Sequence, residues 1–310
     1  MLPRRYTTVK VISALLGIGV MMLVSSVTWA STPPLKCLSF NLLHGGVFSG
    51  LVGNAQDINH RFTMVVEELR SLEVDLLGLQ EASASWGRGN VAERLARELG
   101  FHYVYAPASF RLFPSEAVNT LASWVMNFSE GPAIVSRFPI TSWRAYDLPR
   151  CGRFTDSRVF LYAEVQTPWG PLHVGSTHIS GNPCQAQNVA ELLRELDASS
   201  PLLVMGDFNA LEHSSAMTTL IGSANLIDTF RLMNPTALGS TVWQRVDVPT
   251  PMASRRVDYL LLRPGSGIVS RVEASRVVLN RPQKLADGRT LWPSDHYGIL
   301  TEIVLEPPRR

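Results

Sequence analysis

Val204-Met205-Gly206-Asp207-Phe208-Asn209-Ala210 is the stretch from which the fold can be read. Leu202 to Met205 is a short apolar run, the mark of a buried strand, and Gly206 ends it. Asp207 and Asn209 stand two residues apart, so both can point to one side as the strand gives way to a loop. One carboxylate and one amide then arrive together at the end of a sheet, a pair able to orient a water and hold a phosphoryl oxygen. Taken alone the stretch is equally an ordinary turn, because Gly-Asp-x-Asn is common turn composition. The rest of the chain decides between the two.

Upstream, Leu38, Phe40 and Leu42 alternate with Cys37, Ser39 and Asn41, so residues 35–43 read as a strand, and His44-Gly45-Gly46 then opens a glycine-rich loop. The spacing of Phe62, Val65, Val66, Leu69 and Leu72 predicts an amphipathic helix over 61–72. Residues 74–79 read as a buried strand ending in Gln80-Glu81, and Val91, Leu95 and Leu99 mark a helix that Gly100 can cap. Residues 107–131 carry Phe110, Phe113, Trp124 and Phe128 without periodicity and read as a long loop with room for one short helix. Strands are expected over 133–136, 159–165 and 172–177, the last two joined by a turn at Thr167-Pro168-Trp169-Gly170. Val189, Leu192, Leu193 and Leu196 predict a helix before the opening strand, and 257–262, 270–279 and 298–305 again read as strands. No repeat or composition break divides residues 31–310, so an α/β fold in one domain is expected.

Polar residues recur where these buried runs end: Asn41, Glu81, His178, Asp207 with Asn209, Asp258, and Asp295 with His296. Singly, each has a plain reading as a solvated strand end, a turn cap or a structural histidine. Jointly they point to one cleft, because open α/β sheets bind ligands at the ends of their strands. His60, His102, His173 and His213 fit no ligand spacing and read as surface or packing residues; His44 reads as a loop histidine near Asn41. A zinc-type Cys/His cluster and a Gly-x-Ser-x-Gly nucleophile turn are both lacking in the sequence.

Ser39-Phe40-Asn41, Leu79-Gln80-Glu81, Ser176-Thr177-His178, Gly206-Asp207-Phe208-Asn209, Arg256-Val257-Asp258-Tyr259 and Ser294-Asp295-His296 resemble, in order, the motifs of the endonuclease/exonuclease/phosphatase superfamily. Residues 133–140, Ala-Ile-Val-Ser-Arg-Phe-Pro-Ile, resemble a further shared strand. The resemblance implies a four-layer α/β sandwich, two packed mixed β-sheets flanked by helices. It also implies a metal-dependent phosphoesterase. Glu81 would be the chief ligand of Mg²⁺ (Mn²⁺ or Ca²⁺ being alternatives), with Asn41 and Asp295 completing or supporting an oxygen-rich site of the kind hard cations prefer. Asp207 would accept a proton from the attacking water and Asn209 would hold the phosphate. His296, oriented by Asp258, and His178 would contact the phosphate or transfer protons. Implied substrates are nucleic acid, a phospholipid head group or a small phosphate ester; a catalytically silent binding protein on the same fold is the alternative. The chain departs from many relatives at Pro132 and at Asn182-Pro183-Cys184, where an Asn and an Arg are usual.

The first thirty residues stand apart. Arg4, Arg5 and Lys10 precede an uncharged apolar run over 11–27, and Thr28-Trp29-Ala30 supplies small residues suited to cleavage after Ala30. A signal peptide over 1–30 is expected, with export to a periplasm or beyond the cell; an uncleaved anchor is the competing reading. Its loss would leave 25 basic residues against 26 acidic ones, so the formal charge of +2 owes its sign to that segment. No Lys/Arg-rich block follows, which argues against a broad nucleic-acid patch. With 45% apolar and 17% charged residues the chain is globular, not disordered. A monomer without an obligate protein partner is expected. Export permits disulfides. Cys151 and Cys184 lie in loop-like settings and can pair, while Cys37 sits in a strand pattern as a buried thiol; three cysteines allow three pairings, and sequence does not choose.

Overall fold

The apolar runs become the inner strands of two sheets. The computed structural model describes residues 33–44, 55–108, 115–152 and 157–306. The expected signal segment, Gly45-Gly46, Phe110 and Phe113 lie outside the described residues. In chain order the elements are β1 (Leu35–Asn41), α1 (Ile58–Leu72), β2 (Leu76–Ser85), β3 (Gly89–Asn90), α2 (Val91–Leu99), β4 (His102–Tyr105), α3 (Glu116–Val125) and β5 (Ser129–Ser136). Then come β6 (Ile140–Leu148), β7 (Arg158–Thr167), β8 (Gly170–His178), α4 (Pro183–Arg194), β9 (Leu202–Asp207), α5 (Ser215–Ala224), β10 (Ile227–Asp228) and α6 (Thr229–Met233). The last are β11 (Asp258–Arg263), β12 (Val269–Val278), β13 (Gln283–Lys284), β14 (Thr290–Leu291) and β15 (Gly298–Glu306).

One sheet runs β12-β15-β1-β2-β5-β4, with β3 paired to β2; the other runs β10-β11-β9-β8-β7-β6. Both are mixed: β1 and β2 are parallel, as are β8 and β9, while the remaining neighbours in the two sheets run antiparallel. Alternation along the strands creates the layers. Leu203 and Met205 face the other sheet, where they join Leu35, Cys37, Leu76 and Ile134 in the core between the sheets. Leu202 and Val204 face outward onto Val189 and Leu193 of α4 and Leu220 of α5. In the first sheet Leu38, Phe40, Leu77 and Leu79 face outward onto Val65 and Leu69 of α1 and Leu95 of α2. Three cores between four layers are the expected sandwich. The sheets approach closely at Gly78, where a Cβ would lie 2.5 Å from that of Met205.

Several boundaries differ from expectation. β2 runs through Glu81 to Ser85, and β5 begins at Ser129, so the stretch over 107–131 holds, besides the short helix allowed for there (α3), the start of a strand. Edge strand β6 leaves most of its residues exposed, which removes the alternation that reveals half-buried strands. Gly100 caps α2 as expected, at φ +72°, and at the other end the Asn90 side chain accepts from Ala92 N–H and Glu93 N–H. Cys151 and Cys184 form a disulfide and Cys37 is free and buried. Among the described residues no helix is long and apolar enough to cross a membrane.

Candidate active site

Register places the first three groups. His178 and Asp207 are paired across parallel β8 and β9, and Asp207 and Asp258 across antiparallel β9 and β11. Three adjacent strands thus end side by side with a histidine and two carboxylates. Asn209 follows in the left-handed region at φ +47°, which Asn tolerates, and its N–H donates to Asp207 Oδ1 at 2.9 Å. Its Nδ2 donates to His178 Nε2 at 2.9 Å and to the Ile179 carbonyl at 3.0 Å. The amide therefore spans the gap between two strand ends.

Glu81 enters from the other sheet. It lies inside a bulge where the β2–β5 register shifts between Leu79 and Ala82, and its φ is +53°. A bulge re-aims a side chain, and a left-handed non-glycine residue costs about 1–3 kcal/mol. Asn41 at the end of β1 ties the two sheets together: its Nδ2 donates to Glu81 Oε1 at 3.1 Å and to Asp207 Oδ2 at 3.0 Å. Its own oxygen accepts from Leu43 N–H at 3.0 Å, so the amide, as placed, steadies Glu81. His44 lies beside the same carboxylate, with Nε2 3.3 Å from Glu81 Oε2. Asp295 and His296 come from the segment before β15, where Ser294 Oγ donates to the Asn41 carbonyl at 2.7 Å and accepts from His296 N–H at 3.2 Å.

His296 Nδ1 donates to Asp258 Oδ2 at 2.9 Å, and its Nε2 lies 3.7 Å from Asp207 Oδ2. Burial opposes charge on His296, but Asp258, Asp207 and Asp295 outweigh it and push the imidazole up to about 10. Burial and the Asp258 carboxylate push Asp207 up to about 7, against the pull of His296 and of the donors from Asn209 and Asn41. His178 is the opposite case. Burial, then Arg158, His296 and His44, hold it well below the usual histidine range, so it is neutral. With Nε2 accepting from Asn209, its Nδ1–H is a buried donor without a hydrogen-bond partner among the described residues.

Asp295 is raised by burial and by the charge of Glu81, and Glu130 by burial and the same charge. Carboxylates that oppose one another's ionisation make a region a divalent cation would stabilise, and a carboxylate set without sulfur suits a hard ion. Asp207, Asp258 and His296 also offer donor atoms within 4.8 Å of one another. His296 Nδ1 is committed to Asp258, and Asp207 to Asn41 and Asn209, so that trio has the connectivity of a proton-transfer chain.

Sequence reasoning missed three supports. Arg61, read only as part of an amphipathic helix, is 2% exposed. Its guanidinium donates to Leu42 O, Leu43 O, Gln56 O and Pro293 O, binding together the segments that carry Asn41 and Asp295. Burial lowers it to about 10 against the charges of Asp295, Glu81 and Asp57. Thr241 Oγ1 accepts from Val257 N–H and Asp258 N–H. Glu130 lay in the presumed loop. No local pattern marks any of them; an arginine at an apolar helix position was the one signal for Arg61. Of the histidines set aside, His60, His102 and His213 are exposed and His173 is buried against Tyr162, 2.6 Å from its hydroxyl.

The sequence pattern of the Endonuclease/Exonuclease/phosphatase family matches residues 38–296, which contains every site residue named above. No curated protein matches the chain. Among solved structures, the mannosyl-6-phosphatase of Bacteroides thetaiotaomicron VPI-5482 superposes with a TM-score of 0.65 at 17% identity, covering 87% of this chain and 99% of that one. The catalytic domain of human Nocturnin with bound sulfate does so at 0.61 and 19%, covering 89% and 94%. D. rerio TDP2 complexed with single-strand DNA product does so at 0.61 and 16%, covering 87% and 99%.

Proposed function

The chain belongs to the endonuclease/exonuclease/phosphatase family, and on that premise we propose that it is an exported, divalent-metal-dependent hydrolase of a phosphate ester. The observation that carries the reading is the hydrogen-bonded set Asn209–Asp207 and His296–Asp258, buried except at Asn209, standing beside Glu81 and Asp295. Phosphate esters are anionic and resist attack, so a hydrolase must neutralise charge and position a nucleophile. Asp207, held near neutrality, is suited to take a proton from water at physiological pH. Asn209 Nδ2, with both hydrogens engaged by His178 Nε2 and the Ile179 carbonyl, orients the imidazole whose unpartnered Nδ1–H is the neutral donor beside the carboxylates. His296, kept protonated by Asp258, puts a fixed positive charge near Asp207. Glu81 and Asp295, with Asn41 in support, would hold Mg²⁺ or a similar ion. When bound, such an ion polarises the phosphoryl oxygen and neutralises charge on the leaving group. Export is supported by the composition of residues 1–30 and by the Cys151–Cys184 bond, which suits an oxidising compartment. The relatives act on or bind different things by name, a mannosyl phosphate in one and DNA in another, so they define an ester class and not one substrate.

The test uses the purified protein beside Asp207→Ala and Glu81→Gln, assayed on DNA, sphingomyelin, phosphoinositides and sugar phosphates with Mg²⁺ and with EDTA. Turnover that EDTA abolishes, and that falls about 10²–10⁴-fold in Asp207→Ala, is expected. Glu81→Gln should weaken Mg²⁺ binding in calorimetry. Turnover on every substrate missing, together with no Mg²⁺ binding, would overturn the hydrolase reading.

A further inference from the structure

A cavity of about 720 Å³ opens against Asp295, within the size that encloses a small-molecule ligand. We propose that it receives the organic group of the phosphate ester, that this group is uncharged and hydroxyl-bearing like a sugar, and that the cavity rejects a second phosphate. The proposal rests on the hydrolase reading and names its substrate class.

Backbone pairing fixes the cavity beside the site. Gln244 N–H donates to the Asp295 carbonyl at 2.8 Å, and Val242 bridges Arg255. Trp243 is thereby set at the cavity wall, 58% exposed, with the Arg255 guanidinium stacked 4.4 Å from its centroid and outside the lining. An exposed indole face beside aliphatic Val246 and Leu291 suits the apolar face of a ring.

Charge decides what the rest of the group can be. Among the described residues the lining holds two arginines, Arg245 and Arg289, against three aspartates, Asp57, Asp247 and Asp295. Neither arginine is uncommitted: Arg245 is bonded to Asp247 at 3.0 and 3.2 Å, and Arg289 to Asp57 at 2.6 Å and Asp287 at 2.7 Å. With Asp295 engaged at the metal site, the remaining lining charges cancel. Such Arg–Asp pairs donate and accept hydrogen bonds without net charge, which matches hydroxyls, since those do both. Among the described residues a second phosphate would meet no spare cation, and it would face the carboxylates of Asp57, Asp247 and Asp295, whose like charge repels it.

The experiment compares a hexose 6-phosphate with the matched hexose 1,6-bisphosphate. It reads kcat/KM and, separately, calorimetric binding of their non-hydrolysable methylene-phosphonate analogues to the Mg²⁺-loaded protein. The monophosphate should be favoured about tenfold or more in both. Trp243→Ala should raise its KM several-fold while kcat changes little. Asp247→Asn, which removes a hydroxyl acceptor and frees Arg245, should narrow the preference at least about threefold, weakening the monophosphate and favouring the bisphosphate. Equal or better use of the bisphosphate, an unmoved ratio in Asp247→Asn, or tighter binding of phosphocholine than of the hexose phosphate would overturn the proposal. Preferential analogue binding without turnover of any ester would uphold the cavity and sink the hydrolase reading. Turnover of other phosphate esters with no sugar preference would do the reverse.

Discussion

Arg61→Met removes one guanidinium and keeps an unbranched stem in the α1 helix, so it isolates the clamp beneath the site. Arg61 donates to Leu42 O and Leu43 O at 2.8 Å, Gln56 O at 2.9 Å and Pro293 O at 3.2 Å. Hydrogen bonds to a charged group contribute about 1.5–3 kcal/mol each, so four represent roughly 6–12 kcal/mol gross. Relief from burying a cation returns several of these, and the expected net loss is about 3–5 kcal/mol. Urea unfolding followed by circular dichroism reads this directly. At an m-value near ~3 kcal/mol/M the midpoint should fall by about 1–1.7 M. Because the clamped carbonyls flank Asn41 and Asp295, catalysis under folded conditions should also drop. Arg61→Lys retains the charge but not the fork, and should restore only part of either loss. A midpoint within about 0.3 M of wild type, at unchanged m, would show that the four bonds do not hold these segments.

Asp258→Asn removes the partner that keeps His296 protonated up to about 10. Activity should fall about 10²–10⁴-fold, and the alkaline limb of the pH–rate profile should move to lower pH; an unmoved limb refutes the pairing. Replacing Cys151 and Cys184 by Ser opens a crosslink spanning 33 residues. Chain entropy sets its contribution at about 3–4 kcal/mol, to be read from unfolding midpoints with and without reductant. Burial lowers His173 below its ordinary value of 6.5, so below that pH the unfolded chain binds more protons than the folded one and stability is lost as pH falls. His173→Gln should flatten the dependence of the thermal midpoint between about pH 6.5 and 5, and a slope equal to wild type would count against the assignment.

The chain's own order of residues was enough for the family and the four layers, and it named the candidate groups that the fold gathers at the strand ends. Buried strands are written as apolar runs, and Asn41, His178, Asp207, Asn209, Asp258, Asp295 and His296 each stand at or beside the end of a strand, while Glu81 ends the apolar run 74–79 inside β2. Such signals are local, and a single sequence carries them. What escaped was non-local or masked by exposure. β6 shows mostly exposed residues and no alternation, so it lacks the pattern by which a strand is read, and α3, the short helix allowed for in the loop, has no buried residue among those described to fix its bounds. The bulge at Glu81, which turns a strand residue into a side chain aimed at the cleft, depends on pairing with β5 some fifty residues on. Cys151 could be matched to Cys184 only once their Cα atoms were placed 6.1 Å apart.

Sequence alone determined which chemical groups were candidates for the site, because side-chain type is a local property. Tertiary structure alone decided their states: a neutral His178 and a charged His296, an Asp207 raised to about 7, a buried Arg61 beneath the carboxylates, and a cavity whose arginines are already paired. Protonation and charge balance depend on burial and on neighbours brought from distant strands, and only folding supplies either.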